Sequence, residues 1–208
     1  MHNNTRSQPS RSPQSPIAVV ALLVMAWLWC NVPSSVQAQE ADAADVPKEH
    51  TVKAVFLYSF GRYVEWPKTA FASPTSPFVI GILGEDWFGG ALDKIAEKKT
   101  IQGRKIVIKR FATLEAFKEP CHILFVSQSL TAEQQAAVIA KMAGKPVFLV
   151  GETPGFAERG ATANFSADGS RILVEINVEA VQRAHLRVDA RLLSLAKRVG
   201  APPLTAND

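Results

Sequence analysis

The sequence predicts an α/β fold: a mainly parallel sheet with helices on both faces, completed by a C-terminal hairpin and closing helices. Four short apolar runs, Phe78–Leu83, Lys105–Arg110, Cys121–Ser127 and Val147–Val150, alternate with helical patterns over Trp87–Lys98, Thr113–Glu119 and Thr131–Ala143. The runs FVIGIL and HILFV lack period-two polarity, as expected of strands buried on both sides by crossover helices. The 208 residues are 47% hydrophobic and 20% charged, which sets aside disordered, collagenous and polytopic membrane classes. One domain is expected.

The N-terminus comes first. Met1 to Pro16 is polar, with Arg6 and Arg11 and no acid, and Ile17–Cys30 is an apolar run of 14 residues. That is shorter than the roughly 20 residues a membrane anchor needs. Pro33 follows, and Val36 and Ala38 stand at the minus-three and minus-one positions of a signal-peptidase site. The expected organisation is a signal peptide over 1–38 cleaved after Ala38, a flexible segment over 39–47, an α/β domain over 48–200 and a loose tail over 201–208. Trp29 occupies the position before Cys30 where lipoprotein processing wants a small residue, so lipidation is not expected. The export signal points to the periplasm. Losing Arg6 and Arg11 lowers the formal charge from +4 to +2, too little for a nucleic-acid footprint.

Within the domain, Val52, Val55, Phe56, Phe60 and Tyr63 fall on one arc of a helix over Glu49–Trp66, which Pro67 ends. Arg62 and Glu65 lie three apart on its polar edge and are able to pair. Thr131 and Gln134 carry the spacing of a capping box. Ala161–Ser166 and Arg171–Asn177 flank Asp168-Gly169, a hairpin signal. Glu179–Ala184 and Val188–Val199 read as two closing helices before Gly200 and Pro202.

The chemistry is sparse. Cys121 is the one cysteine past the leader, so no intrachain disulfide is available, and its place at the head of CHILFV predicts burial. Cys121 and His122 are adjacent on a strand, point to opposite faces and cannot share a metal. No CxxC, HExxH or GxSxG occurs, and no cofactor is expected. Glu85 and Asp86 follow the first long strand at its carboxyl end, where a ligand or cation site is one reading. The preferred one makes Asp86 the cap of the next helix. Gly81, Gly84, Gly89 and Gly90 do not have dinucleotide-loop spacing. The stronger candidate is a row of Arg187, Arg191, Ser194 and Arg198, stepping by four, three and four on the last helix beside Val188, Leu192, Leu195 and Val199. Guanidinium forks there suit an anionic ligand or an acidic partner surface, against the plain alternative of a solvated face.

The segments KAVFLYSFGRYVEWP (53–67), PFVIGILG (77–84), GRKI (103–106), CHILFV (121–126), GFAERG (155–160), RILVEIN (171–177) and LRVDARLLSLAK (186–197) together resemble the YfiR family of periplasmic proteins. The resemblance implies a regulator that is often dimeric. Such a regulator inhibits an inner-membrane diguanylate cyclase of YfiN type through the cyclase's periplasmic sensor, and an outer-membrane lipoprotein of YfiB type relieves it. It also adds weight to Arg187 and Arg191 as binding residues, with Arg198 and Arg62 beside them. The family's disulfide-linked redox control has no counterpart here, since only Cys121 matches. Inhibition by protein contact is the expected function, a sensor for a small anionic metabolite the alternative, and an enzyme the least supported.

Overall fold

The structure, a computed structural model, describes residues 38–118, 120–169 and 171–200, with side chains from Lys48 onward. The expected leader up to residue 37 and the tail over 201–208 lie outside the described residues. The fold below is that of the compact unit beginning at Ala44.

Helix α1 (Ala38–Tyr63) leads into a short strand β1 (Val64–Glu65). Then come β2 (Phe78–Leu83), α2 (Ala91–Lys98), β3 (Thr100–Ile101), β4 (Arg104–Phe111), β5 (Ile123–Val126), α3 (Ala132–Met142) and β6 (Phe148–Gly151). The C-terminal third holds β7 (Ala163–Asp168), β8 (Arg171–Asn177), α4 (Val178–Arg183), β9 (Arg187–Val188), α5 (Ala190–Leu195) and β10 (Lys197–Val199). One eight-stranded sheet runs in the order β10-β8-β7-β6-β5-β2-β4-β3, and its five strands from β7 to β4 are parallel. The expected hairpin is present, with β7 and β8 antiparallel from Ala163↔Ile176 to Asp168↔Arg171.

Both faces of the sheet are covered, and side chains alternate between them along each central strand. Phe78, Ile80, Ile82, Ile123, Phe125, Phe148 and Val150 enter one core with Leu57 and Phe60 of α1. Val79, Leu83, Leu124, Val126 and Leu149 enter the other with Val138 and Met142 of α3. Gly61 lets α1 approach β3, since a Cβ there would sit 2.4 Å from Ile101 Cδ1.

Several expectations need correction. The helix expected over 49–66 begins at Ala38 and so takes in residues 39–47. That segment is rich in Ala, and Glu40 and Asp42 fall in the first turns, where the helix dipole favours acids. At its other end the chain leaves the helix after Tyr63, because Val64 and Glu65 pair with β9. Residues 114–116 form turns where a helix over Thr113–Glu119 was expected. Lys141 Nζ donates to the Leu114 and Phe117 carbonyls there, so the segment needs no helical ladder. α2 starts at Ala91 with Gly90 as its cap, not Asp86. Asp86 instead accepts from the Phe88 N–H at 2.8 Å and from Arg110. The last expected helix, Val188–Val199, is three elements, β9, α5 and β10. Asp189 accepts from the Arg191 N–H and starts a new helix, while Lys197–Val199 pair in parallel with Glu175–Asn177.

Candidate functional site

The arginine row does not exist as a helical stripe: Arg187 lies on β9, Arg191 and Ser194 on α5, and Arg198 on β10. The fold nevertheless brings Arg62, Arg187 and Arg191 together by another route. β1 and β9 form an antiparallel ribbon with Val64↔Val188 and Glu65↔Arg187, and the Asp189 N–H donates to the Tyr63 carbonyl at 2.8 Å. Val64 is buried beneath the ribbon, so its polar side turns outward.

Tyr63 is the centre of that surface. The Arg62 guanidinium lies 5.7 Å from its ring centroid and 5.9 Å from that of Tyr58, and the Arg191 guanidinium lies 5.3 Å from Tyr63. Glu65, three residues from Arg62 and able to pair with it by spacing, instead faces Arg187 across the ribbon at 4.0 Å. Arg191 grips Asp189 with two parallel bonds of 3.0 and 2.8 Å. These bonds hold the Asp189 carboxyl down to about 2. One turn on from Arg191, Leu195 is 82% exposed, the most exposed large apolar side chain described. A cleft of about 230 Å3 opens beside Arg187 over Ile176, Val181, Leu186 and Leu193. Among the described residues no hydrogen bond, ion pair or ring contact joins Arg198 to this group. Tyr58 could be found in the sequence from its spacing of four to Arg62, but Tyr63, Asp189 and Leu195 join the site only through the ribbon.

The other singled-out residues are structural. Cys121 is buried and free, and burial pushes its thiol up to about 12. His122 turns to the opposite core, stacked on Phe71 and Phe78 at 4.3 and 4.8 Å between ring centroids. The Val79 N–H donates to its Nδ1 at 2.9 Å, and burial pushes its imidazole down to about 4. His185 takes a left-handed conformation (φ 56°) just past the end of α4. Among the described residues no three His, Cys, Asp or Glu side chains gather as a metal site, and no helix is long and apolar enough to cross a membrane.

A family profile described as YfiR/HmsC-like matches residues 50–197, well over half of the chain. The chain belongs to the YfiR/HmsC-like family. The match runs from the N-terminal half of α1 into β10, so it takes in the ribbon and its three arginines. Among curated proteins, none matches the chain. The YfiR/HmsC-like family is one of periplasmic regulators of cyclic-di-GMP signalling rather than of catalysts.

Proposed function

We propose that this protein is an exported inhibitor that binds the periplasmic sensor part of an inner-membrane diguanylate cyclase through the face around Tyr63. The supporting observation is the composition of that face: a tyrosine flanked by Arg62 and Arg191, with Leu195 exposed beside them. Tyr and Arg are the residues that most often anchor interfaces, and an exposed leucine supplies the apolar centre. The charges also favour a protein over a free anion. Arg191 and Arg187 already face Asp189 and Glu65, so a small anion would have to displace a carboxylate. A partner segment can instead stack on the rings and exchange rim pairs as it excludes water.

An inhibitor of this kind acts by binding the inactive cyclase more tightly than the active one. A preference of about 100-fold, near 2.7 kcal/mol, shifts output visibly. Export follows from the leader: the mature chain begins at Gln39, and a lipoprotein of YfiB type competes for the same face. Crosslinking in the periplasm followed by mass spectrometry is the test. Capture of a membrane cyclase by the wild type but not by Arg62→Ala/Arg191→Ala, with raised cyclic-di-GMP on deletion, is expected. Unchanged cyclic-di-GMP in the deletion strain overturns the reading.

A further inference from the structure

The carboxyl edge of the sheet lies apart in sequence from the docking residues and has its own chemistry. β2 connects through α2 towards β4 on one side, while its other neighbour β5 connects through α3 towards β6, so the connections leave this adjacent pair in opposite directions. Open α/β sheets take ligands in the crevice outside the strand carboxyl ends at such a reversal. A crevice of about 440 Å3 occupies that position. Its walls include Glu85 after β2, Thr113, Leu114 and Glu115 after β4, and Ser129 and Leu130 after β5. The volume is that of an ordinary small-molecule site.

The walls are held in place. Gly84 has φ 93°, and a Cβ there would come within 2.3 Å of Leu130 Cδ1 and 2.7 Å of Ser129 Oγ, so the loops after β2 and β5 touch. The Glu85 N–H donates to Ser129 Oγ at 3.0 Å, and the Ser129 N–H donates to Ser127 Oγ at 3.2 Å. The third wall is tied to α3 by Lys141, through the Leu114 and Phe117 carbonyls.

The lining decides the sign of the ligand. Its two ionisable side chains are Glu85 and Glu115, and neither forms an ion pair with a described residue. Arg110 is engaged by Asp86 and Asp93 and Lys53 by Glu49 and Glu152, while Lys141, which donates to the Leu114 and Phe117 carbonyls and acts on Glu115, leaves the crevice with one cation against two carboxylates. The Thr113 hydroxyl holds the Glu115 carboxyl below its usual range, so it is charged at neutral pH. Calcium or magnesium wants six or more oxygen ligands, and no three acidic, His or Cys side chains gather among the described residues. An ammonium group needs only carboxylate and hydroxyl acceptors. Leu114 and Leu130 supply an apolar surface for a hydrocarbon body.

We propose that this crevice binds a small organic amine, its ammonium held by Glu85 and Glu115 and its hydrocarbon part lying on Leu114 and Leu130. The test is an NMR titration of the exported chain at low salt with cadaverine, with the neutral 1,5-pentanediol as its matched control. Saturable amide shifts at Gly84, Ala112–Glu115 and Ser129 are expected with the diamine and none with the diol. Glu85→Gln/Glu115→Gln should weaken binding by about tenfold or more, as loss of charge-assisted bonds requires. Both glutamates are exposed, so that variant should melt like the wild type. If it fails to fold, Ala137→Trp, which fills the crevice without removing either carboxylate, must abolish the shifts. The proposal is overturned by no saturable shift at tens of millimolar, by equal binding of the diol, or by affinity unchanged in the double variant. Calcium saturating the same amides at lower concentration than cadaverine also overturns it.

Discussion

Arginine stacked on an aromatic ring occurs at the sheet's inner flank and at the β1–β9 ribbon, with opposite consequences. At the flank, half-buried Arg104 lies 3.8 Å from the Phe71 ring centroid and its Nη1 donates to the Ser73 and Ser76 carbonyls at 3.1 and 2.6 Å. Phe71 in turn stacks on buried His122. At the ribbon, Arg62 and Arg191 flank Tyr63, and the ion pairs there involve carboxylates that reach solvent. The first arginine ties down a loop through two backbone carbonyls, of which that of Ser73 also accepts from the Ser76 N–H, and the second pair holds groups water already satisfies. The same contact is therefore structural in one place and free for recognition in the other. Stability measurements should separate the two regions cleanly.

The largest effect belongs to the centre. Phe60 is fully buried, with ring centroids 5.2 Å from Phe148 and 5.8 Å from Phe165. Phe60→Ala should cost about 3–5 kcal/mol in urea unfolding, through lost burial and the cavity left behind. A cost below about 1 kcal/mol would place α1 outside the cooperative core.

His122 gives the centre a pH dependence in a higher window than the ribbon's. Burial holds its imidazole at about 4, so between the ordinary value of about 6.5 and that point the unfolded chain binds a proton the folded chain refuses. Stability should then fall as pH drops from about 6.5 to 4, by up to roughly 3 kcal/mol, and level off for this group below that. Asp189 acts in a lower window, since a carboxyl held at about 2 loses its contribution only as pH falls below its unfolded value. His122→Gln, which keeps an acceptor for the Val79 N–H, should flatten the upper window alone in pH-dependent melts.

Arg104→Ala should cost roughly 1–3 kcal/mol, because it strips two backbone carbonyls of a donor and uncovers Phe71. Arg62→Ala/Arg191→Ala should stay within about 0.5 kcal/mol of the wild type yet weaken capture of the membrane partner by tenfold or more. A double variant as unstable as Arg104→Ala would erase the distinction between the regions.

The two regions also differ in how far the sequence reveals them. β2, β5 and β6 are found within two residues from their apolar runs, since burial on both faces leaves a purely local pattern. The capping box forms as its spacing suggests, with Gln134 N–H to Thr131 Oγ1 at 3.3 Å and Thr131 N–H to Gln134 Oε1 at 2.9 Å. The row from Arg187 to Arg198 fits a helix by period alone. Two distant interactions override it: Val188 pairs with Val64, and Lys197 pairs with Glu175. Neither pairing leaves a periodic trace. Arg62, Arg187 and Arg191 were therefore legible as candidates, but the tyrosine between Arg62 and Arg191 was not, nor the strand pairing that sets Arg187 opposite Glu65.

The smallest stability effect should fall on Leu195, and that makes it the sharpest probe of the ribbon. It sits on the last turn of α5, 82% exposed, while Leu192 on the same helix is 5% exposed and part of the core. Leu192→Ala should cost about 2–5 kcal/mol, whereas Leu195→Ala removes almost no buried surface and should leave the melt unchanged within about 0.5 kcal/mol. Such exposure leaves nearly its whole apolar area available to a partner, at about 25 cal/mol per Å2 covered. If the Tyr63 face docks the cyclase, Leu195→Ala should lower the pull-down by tenfold or more, and Leu195→Asp further, at unchanged stability. Full capture by Leu195→Asp would mean that the partner approaches Tyr63 from the β1 side and leaves α5 in water.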